Sequence, residues 1–166
     1  SESVLGPSDP KAKAVASIMR AGGGAIGSFL GGVLANVFGR RGTYFSISLA
    51  SLLATQAVYW YINPTSPLFP SAVFIVGFIS MIYFGWLPLY LPELFPTHVR
   101  ATGSGVSFNF GRIATAFGVL GAGAISALFH GDYAATGKVT SLVYLLGMIA
   151  ICFAPDTSKR KLTDPN

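Results

Sequence analysis

Two short stretches hold most of the ionisable chemistry of an otherwise apolar chain. The first, LPELFPTHVRATG (residues 91–103), crowds Glu93, His98 and Arg100 into one connection between two apolar runs. The second places Arg112 three residues after Asn109 and four after Phe108, in a run without acids. Residues three and four apart share a helix face, so a guanidinium, an amide and a ring would sit side by side. Such a face suits a carboxylate or a polyol. Enzyme chemistry is not indicated: the sequence has no metal-ligand cluster, no G-x-x-x-x-G-K phosphate loop and no nucleophile beside a base. No metal or cofactor is therefore expected. His98 and His130 read as solvated loop residues, and Cys152, the single cysteine, can form no intrachain disulfide.

The elements that hold these residues must be membrane helices. Of the 166 residues 52% are hydrophobic and only 10% charged, where soluble domains carry roughly 25% charged residues. The net charge of +5 comes from cations at the ends of apolar runs rather than from a basic stripe, which argues against nucleic acid. The expected fold class is all-α, a polytopic transmembrane helix bundle in a lipid bilayer, in the plasma or inner membrane.

Five apolar runs can be marked, at about residues 14–38, 43–62, 69–91, 101–129 and 139–153. About 20 residues cross a ~30 Å hydrocarbon core, so the fifth is short unless residues 136–138 extend it. NPTSP (residues 63–67) is a breaker cluster, and HGDYAATG (residues 130–137) reads as a loop. Tyr59, Trp60 and Tyr61, and likewise Trp86 and Tyr90, lie near run ends, where rings with a polar edge favour the headgroup layer. Arg40, Arg41 and Arg100, with Lys159, Arg160 and Lys161, fall on one side, which the positive-inside bias makes cytoplasmic. The division that follows is an extracytoplasmic loop over residues 1–13, a five-span bundle over 14–154 and a cytoplasmic tail over 155–166. An outside N-terminus without a signal sequence carries the expectation of further helices upstream.

Within the runs, Gly23, Gly27 and Gly31 recur every four residues and predict a helix face for close packing; Ala114, Gly118 and Ala122 repeat the device. Arg112 lies roughly 16 Å along its helix from Ala101. A guanidinium there costs at least ~2.5 kcal/mol, so it should face a watery cavity or a partner. The alternative is a structural arginine bonded to carbonyls of a broken helix. Arg20, which could also snorkel to the interface, and Gln56 join Arg112, Asn109 and Phe108 as candidate substrate contacts. No acid lies deep in any run, so a proton-carrying carboxylate is not in this segment.

GGVLANVFGRRGTYF (residues 31–45) resembles the cytoplasmic loop signature of the major facilitator superfamily, G-x-L-a-D-r-x-G-R-R. Gly32, Leu34, Ala35, Gly39, Arg40 and Arg41 match, while Asn36 stands for the usual acid. PELFPTHVRATG (residues 92–103) is similar to the loop between helices ten and eleven, with Glu93 and Arg100 in its E-x6-R spacing. APDTSKRK (residues 154–161) resembles the P-E-T-K-G element after helix twelve, with Asp156 for Glu. ATGSGVSFNFGRIATA (residues 101–116) is similar to helix eleven of proton-linked symporters of organic acids, although sugar porters share the two loop elements.

The resemblance implies the C-terminal half of such a transporter lacking its first helix, helices eight to twelve of twelve. It implies a cytoplasmic charge network of Glu93, Arg100, Arg40, Arg41 and Asp156 that latches two bundles together, where simple topogenic charge is the alternative. The function implied is secondary active transport, as a proton-coupled symporter of an organic anion. A sugar or polyol porter and an incomplete fragment without transport of its own are the competing readings. The partners implied are a small-molecule substrate, a proton and the missing N-terminal helices.

Overall fold

The computed structural model describes residues 10–63, 65–155 and 157. Among them the chain is all helical: α1 (Pro10–Val37), α2 (Arg40–Tyr61), α3 (Phe69–Glu93), a 3-10 turn (Thr97–Val99), α4 (Arg100–Leu128), α5 (Tyr133–Thr140) and α6 (Val143–Phe153). Four segments are long and apolar enough to cross a membrane: α1, α3, the 3-10 turn with α4, and α5 with α6. The second expected run, now α2, has the length but not the hydropathy. Its hydroxyls explain why, because Thr43, Ser48 and Ser51 are buried against its neighbours rather than turned outward.

α1 packs chiefly on α3, and the reason is glycine. A Cβ on Gly27 would overlap the Phe78 carbonyl, and one on Gly23 the Phe74 carbonyl; Gly31 meets the backbone around Ile82 and Trp86. From the other side, Gly85 presses on the Ser28 carbonyl. The two helices thus cross backbone against backbone, as small-residue interfaces allow. Gly118 behaves otherwise: nothing lies within 4 Å of a Cβ built there, and α4 has no buried residue.

A second contact region gathers one end of the bundle. Ala35 of α1, Trp86 and Tyr90 of α3 and Ile151 of α6 form a buried cluster, with Tyr44 of α2 packed against it. Trp86 stacks on Tyr90 with ring centroids 4.6 Å apart and meets Tyr44 at 5.0 Å. The indole Nε1 donates to the Arg40 carbonyl at 2.9 Å, and the Tyr90 hydroxyl donates to the Pro155 carbonyl at 2.9 Å. Trp86 and Tyr90 are only 2% and 5% exposed, which corrects their expected place in a headgroup belt. Tyr59, Trp60 and Tyr61, at the opposite end, are exposed.

The expected loop at residues 130–137 is shorter than its composition suggests. His130 and Gly131 turn the chain with φ of 51° and 80°, and Asp132 then caps α5, its carboxylate accepting from the amides of Ala134 and Ala135 at 2.9 and 3.1 Å. The fifth span is therefore α5 and α6 joined at Ser141 and Leu142, where bonds shift to the three-residue pattern. The break is held by Gln56, whose amide donates to the Lys138 carbonyl and the Ser141 hydroxyl at 3.0 Å each, and accepts from Trp60 Nε1 at 3.0 Å. Gln56→Ala should cost about 1–2 kcal/mol, since it removes hydrogen bonds that hold the joint while the Lys138 carbonyl keeps the Ser141 hydroxyl. Thermal unfolding in detergent would register it, and an unchanged midpoint would remove Gln56 from the joint.

Candidate functional site

The α1–α2 turn is made by Gly39, whose φ of 75° lies in the region that favours glycine. It delivers Arg40 and Arg41 to the first turn of α2, which holds no acid. Two cations at the positive end of a helix dipole are unfavourable by roughly 0.3–1 kcal/mol each, so both need acceptors from elsewhere.

Arg40 finds Glu93 at the last residue of α3. Its Nε donates to the carboxylate oxygens at 3.1 and 3.0 Å, and Nη2 donates to Oε1 at 2.6 Å. Nη1 donates to Asn36 Oδ1 at 3.1 Å, so Asn36 keeps an acceptor where the family loop carries an acid. The Thr157 hydroxyl donates to Glu93 Oε2 at 2.6 Å. Both charged side chains are 12% exposed. A forked, charge-assisted pair so shielded from water is stronger than a surface ion pair. It clasps the start of α2, the end of α3 and the chain after α6.

The rest of the expected charge network is arranged differently. Arg41 caps α6: Nε donates to the Ile151 carbonyl at 3.2 Å and Nη2 to the Cys152 carbonyl. These are carbonyls a helix C-terminus leaves free, and a guanidinium satisfies both. Arg100 donates to the Thr97 hydroxyl at 3.3 Å, and its Nε is buried without a partner among the described residues. Among the described residues, neither Arg41 nor Arg100 pairs with an acid. Asp156 lies outside the described residues. The clasp ties helices of this chain to one another. Sequence reasoning missed Thr157, although its neighbour Asp156 was marked. It also missed Trp86 and Tyr90, which wall the clasp; aromatic spacing alone cannot tell a belt from a core.

The expected substrate contacts fall into three places. Asn109, Arg112 and Phe108 lie on one face of α4, and all three are exposed. Asn109 donates to the Gly105 carbonyl at 2.9 Å, while Arg112 has no ion pair or hydrogen bond among the described residues. Arg20 lines a cleft of about 360 Å³ between α1, α2, α3 and the α5–α6 joint, to which α4 contributes nothing. Gln56 is taken up by that joint, and its amide has no donor left for a ligand.

Comparison with known proteins complements this geometry. No family model matches the chain. No solved structure matches it. Among curated proteins, it is 32% identical over 137 residues to the probable 4-methylmuconolactone transporter of Cupriavidus pinatubonensis, covering 80% of this chain and 32% of the relative. It is 32% identical over 91 residues to the cis,cis-muconate transport protein of Acinetobacter baylyi, covering 55% and 22%. It is 28% identical over 151 residues to the solute carrier family 2 facilitated glucose transporter member 1 of Gallus gallus, covering 87% and 30%. The chain spans about a third or less of the length of these relatives.

Proposed function

The chain is a multi-pass membrane protein homologous, over most of its length, to metabolite and sugar transporters of the major facilitator superfamily, and we propose that it forms helices eight to twelve of a proton-coupled symporter of an organic anion. The observation that carries this reading is Arg112. It stands in the apolar segment Thr97–Leu128, exposed and without an acid partner among the described residues. Acyl chains are the one neighbour it cannot tolerate. A water-filled cavity shared with the upstream helices meets that requirement, and Asn109 and Phe108 would line it beside Arg112.

In this reading Arg112 forks onto the substrate carboxylate, Asn109 adds an amide, and Phe108 offers a ring face. The Arg40–Glu93–Thr157 clasp keeps α2, α3 and the chain after α6 moving as one body, which rocking about a central site demands. The proton is carried by a carboxylate on other helices, because neither Glu93 nor Asp132 lies within the depth of a span.

Uptake of a labelled aromatic or unsaturated carboxylate into vesicles holding the full protein tests the reading. Arg112→Ala should lower uptake about 10- to 100-fold, the loss of one charge-assisted contact, with membrane insertion intact. Arg112→Lys should also impair it, because a point charge cannot fork. Unaltered uptake in Arg112→Ala would remove the residue from the site. A protonophore should stop concentrative uptake; if it does not, proton coupling falls. The similarity to a glucose transporter favours a second reading, a sugar or polyol porter. Competition by unlabelled sugars but not acids would select it.

A further inference from the structure

From the cleft around Arg20 we infer a second anion site, for a small organic carboxylate with an apolar body, at the end of the bundle opposite the clasp. It does not rest on the Arg112 reading. Arg20 sits ten residues into α1, roughly 15 Å from its start, and Ser80 lies at a similar distance into α3. The cleft thus reaches from the exposed Tyr59 end to the interior of the apolar layer. A guanidinium at that depth needs an oxygen acceptor or water.

The lining sets the sign and shape of the ligand. Among the described residues no carboxylate lines the cleft, and Arg20 has no ion pair or hydrogen bond. The hydroxyls of Thr140 and Ser141 are turned away, donating to the carbonyls of Thr136 and Lys138 at 2.9 Å each. The guanidinium therefore supplies most of the donors; the Ser80 and Tyr144 hydroxyls, 3.5 Å apart, and Thr55 and Tyr59 line the same cleft. Val58, Val73, Val76 and Val143 make the remaining walls apolar. One cation, a few hydroxyls and valine walls, with no carboxylate among the described lining residues, select a monoanion with a hydrophobic body. A volume of about 360 Å³ is in the range of small-molecule sites and favours a free solute over a whole phospholipid. The broken α5–α6 span forms one wall through Gly137, Ser141 and Val143. Interrupted helices are tolerated at membrane depth where they line a cavity.

The test is binding rather than uptake. With the full chain in lipid nanodiscs, benzoate and its neutral isostere benzamide are titrated by calorimetry. Benzoate should bind more tightly than benzamide by at least about tenfold. R20Q should weaken benzoate roughly 10- to 150-fold, the loss of a charge-assisted contact, with little change for benzamide. V143W should block both ligands by filling the cleft while leaving Arg20 in place, which guards against a folding defect in R20Q. Equal affinity for benzoate and benzamide, no benzoate binding, or benzoate binding that both variants leave within about twofold would overturn the site. So would native mass spectrometry showing an anionic phospholipid held through Arg20 and not displaced by benzoate. Any of these results would leave uptake dependent on Arg112 untouched.

Discussion

Gly27→Leu should prevent α1 from seating on α3 and leave little folded protein to recover from the membrane. The carbonyl of Phe78 occupies the space a first side-chain carbon would need, so the obstruction is main chain rather than a rotamer that can move. Overpacking a soluble core typically costs ~1–3 kcal/mol, and backbone that cannot yield puts this site at or beyond ~3 kcal/mol. Even Gly27→Ala should lower the unfolding midpoint in detergent clearly, since the clash begins at Cβ. Gly118→Leu is the control. It has open space in this chain and should shift stability by no more than about 0.5 kcal/mol. Equal damage from both substitutions would mean that glycine content, rather than the α1–α3 crossing, governs folding.

Glu93→Ala should cost about 2–4 kcal/mol, at or just below the ~3–5 kcal/mol for breaking a fully buried ion pair, because each partner keeps 12% exposure. The loss comes mostly from Arg40, which keeps Asn36 but loses its counter-charge at the positive end of α2. Arg40→Ala combined with Glu93→Ala should therefore recover much of the stability, and the double-mutant cycle should give a coupling well above a surface pair. Thr157→Val removes one hydrogen bond to the carboxylate and should cost nearer 1 kcal/mol. A cycle with no coupling would reduce the clasp to two charges that merely lie close. Transport, where measured on the full protein, should fall with Glu93→Ala in proportion to the loosened end of the bundle.

Part of this was legible in the sequence. The helix boundary at Gly39 is set by local chemistry, and the predicted runs match α1 to α4 within a few residues. Gly23, Gly27 and Gly31 marked the packed face because their spacing alone puts them on one side of a helix. What they touch was not legible, since α3 is remote in sequence and its own contribution, Gly77 and Gly85, is interrupted by Met81 at the position between them. α2 looked like an ordinary span, yet its serines and Thr43 face inward, something only tertiary contacts decide. The expected charge network held both Glu93 and Arg40, but which arginine Glu93 takes, here Arg40 53 residues earlier, is decided only by tertiary contacts. Gln56 looked like a polar residue awaiting a ligand, because the broken helix that uses its amide starts far downstream.

The α1–α3 crossing also fixes the order in which the molecule can be assembled. α2 separates the two partners in the chain and packs far less on α1 than α3 does. During synthesis, then, α1 and α2 enter the bilayer before the helix whose backbone meets the glycines of α1. Only when α3 follows can Gly23, Gly27 and Gly31 meet the backbone of Phe74, Phe78 and Ile82. A ribosome pause between α2 and α3 would hold the nascent chain with the backbone at Gly23, Gly27 and Gly31 not yet seated on α3.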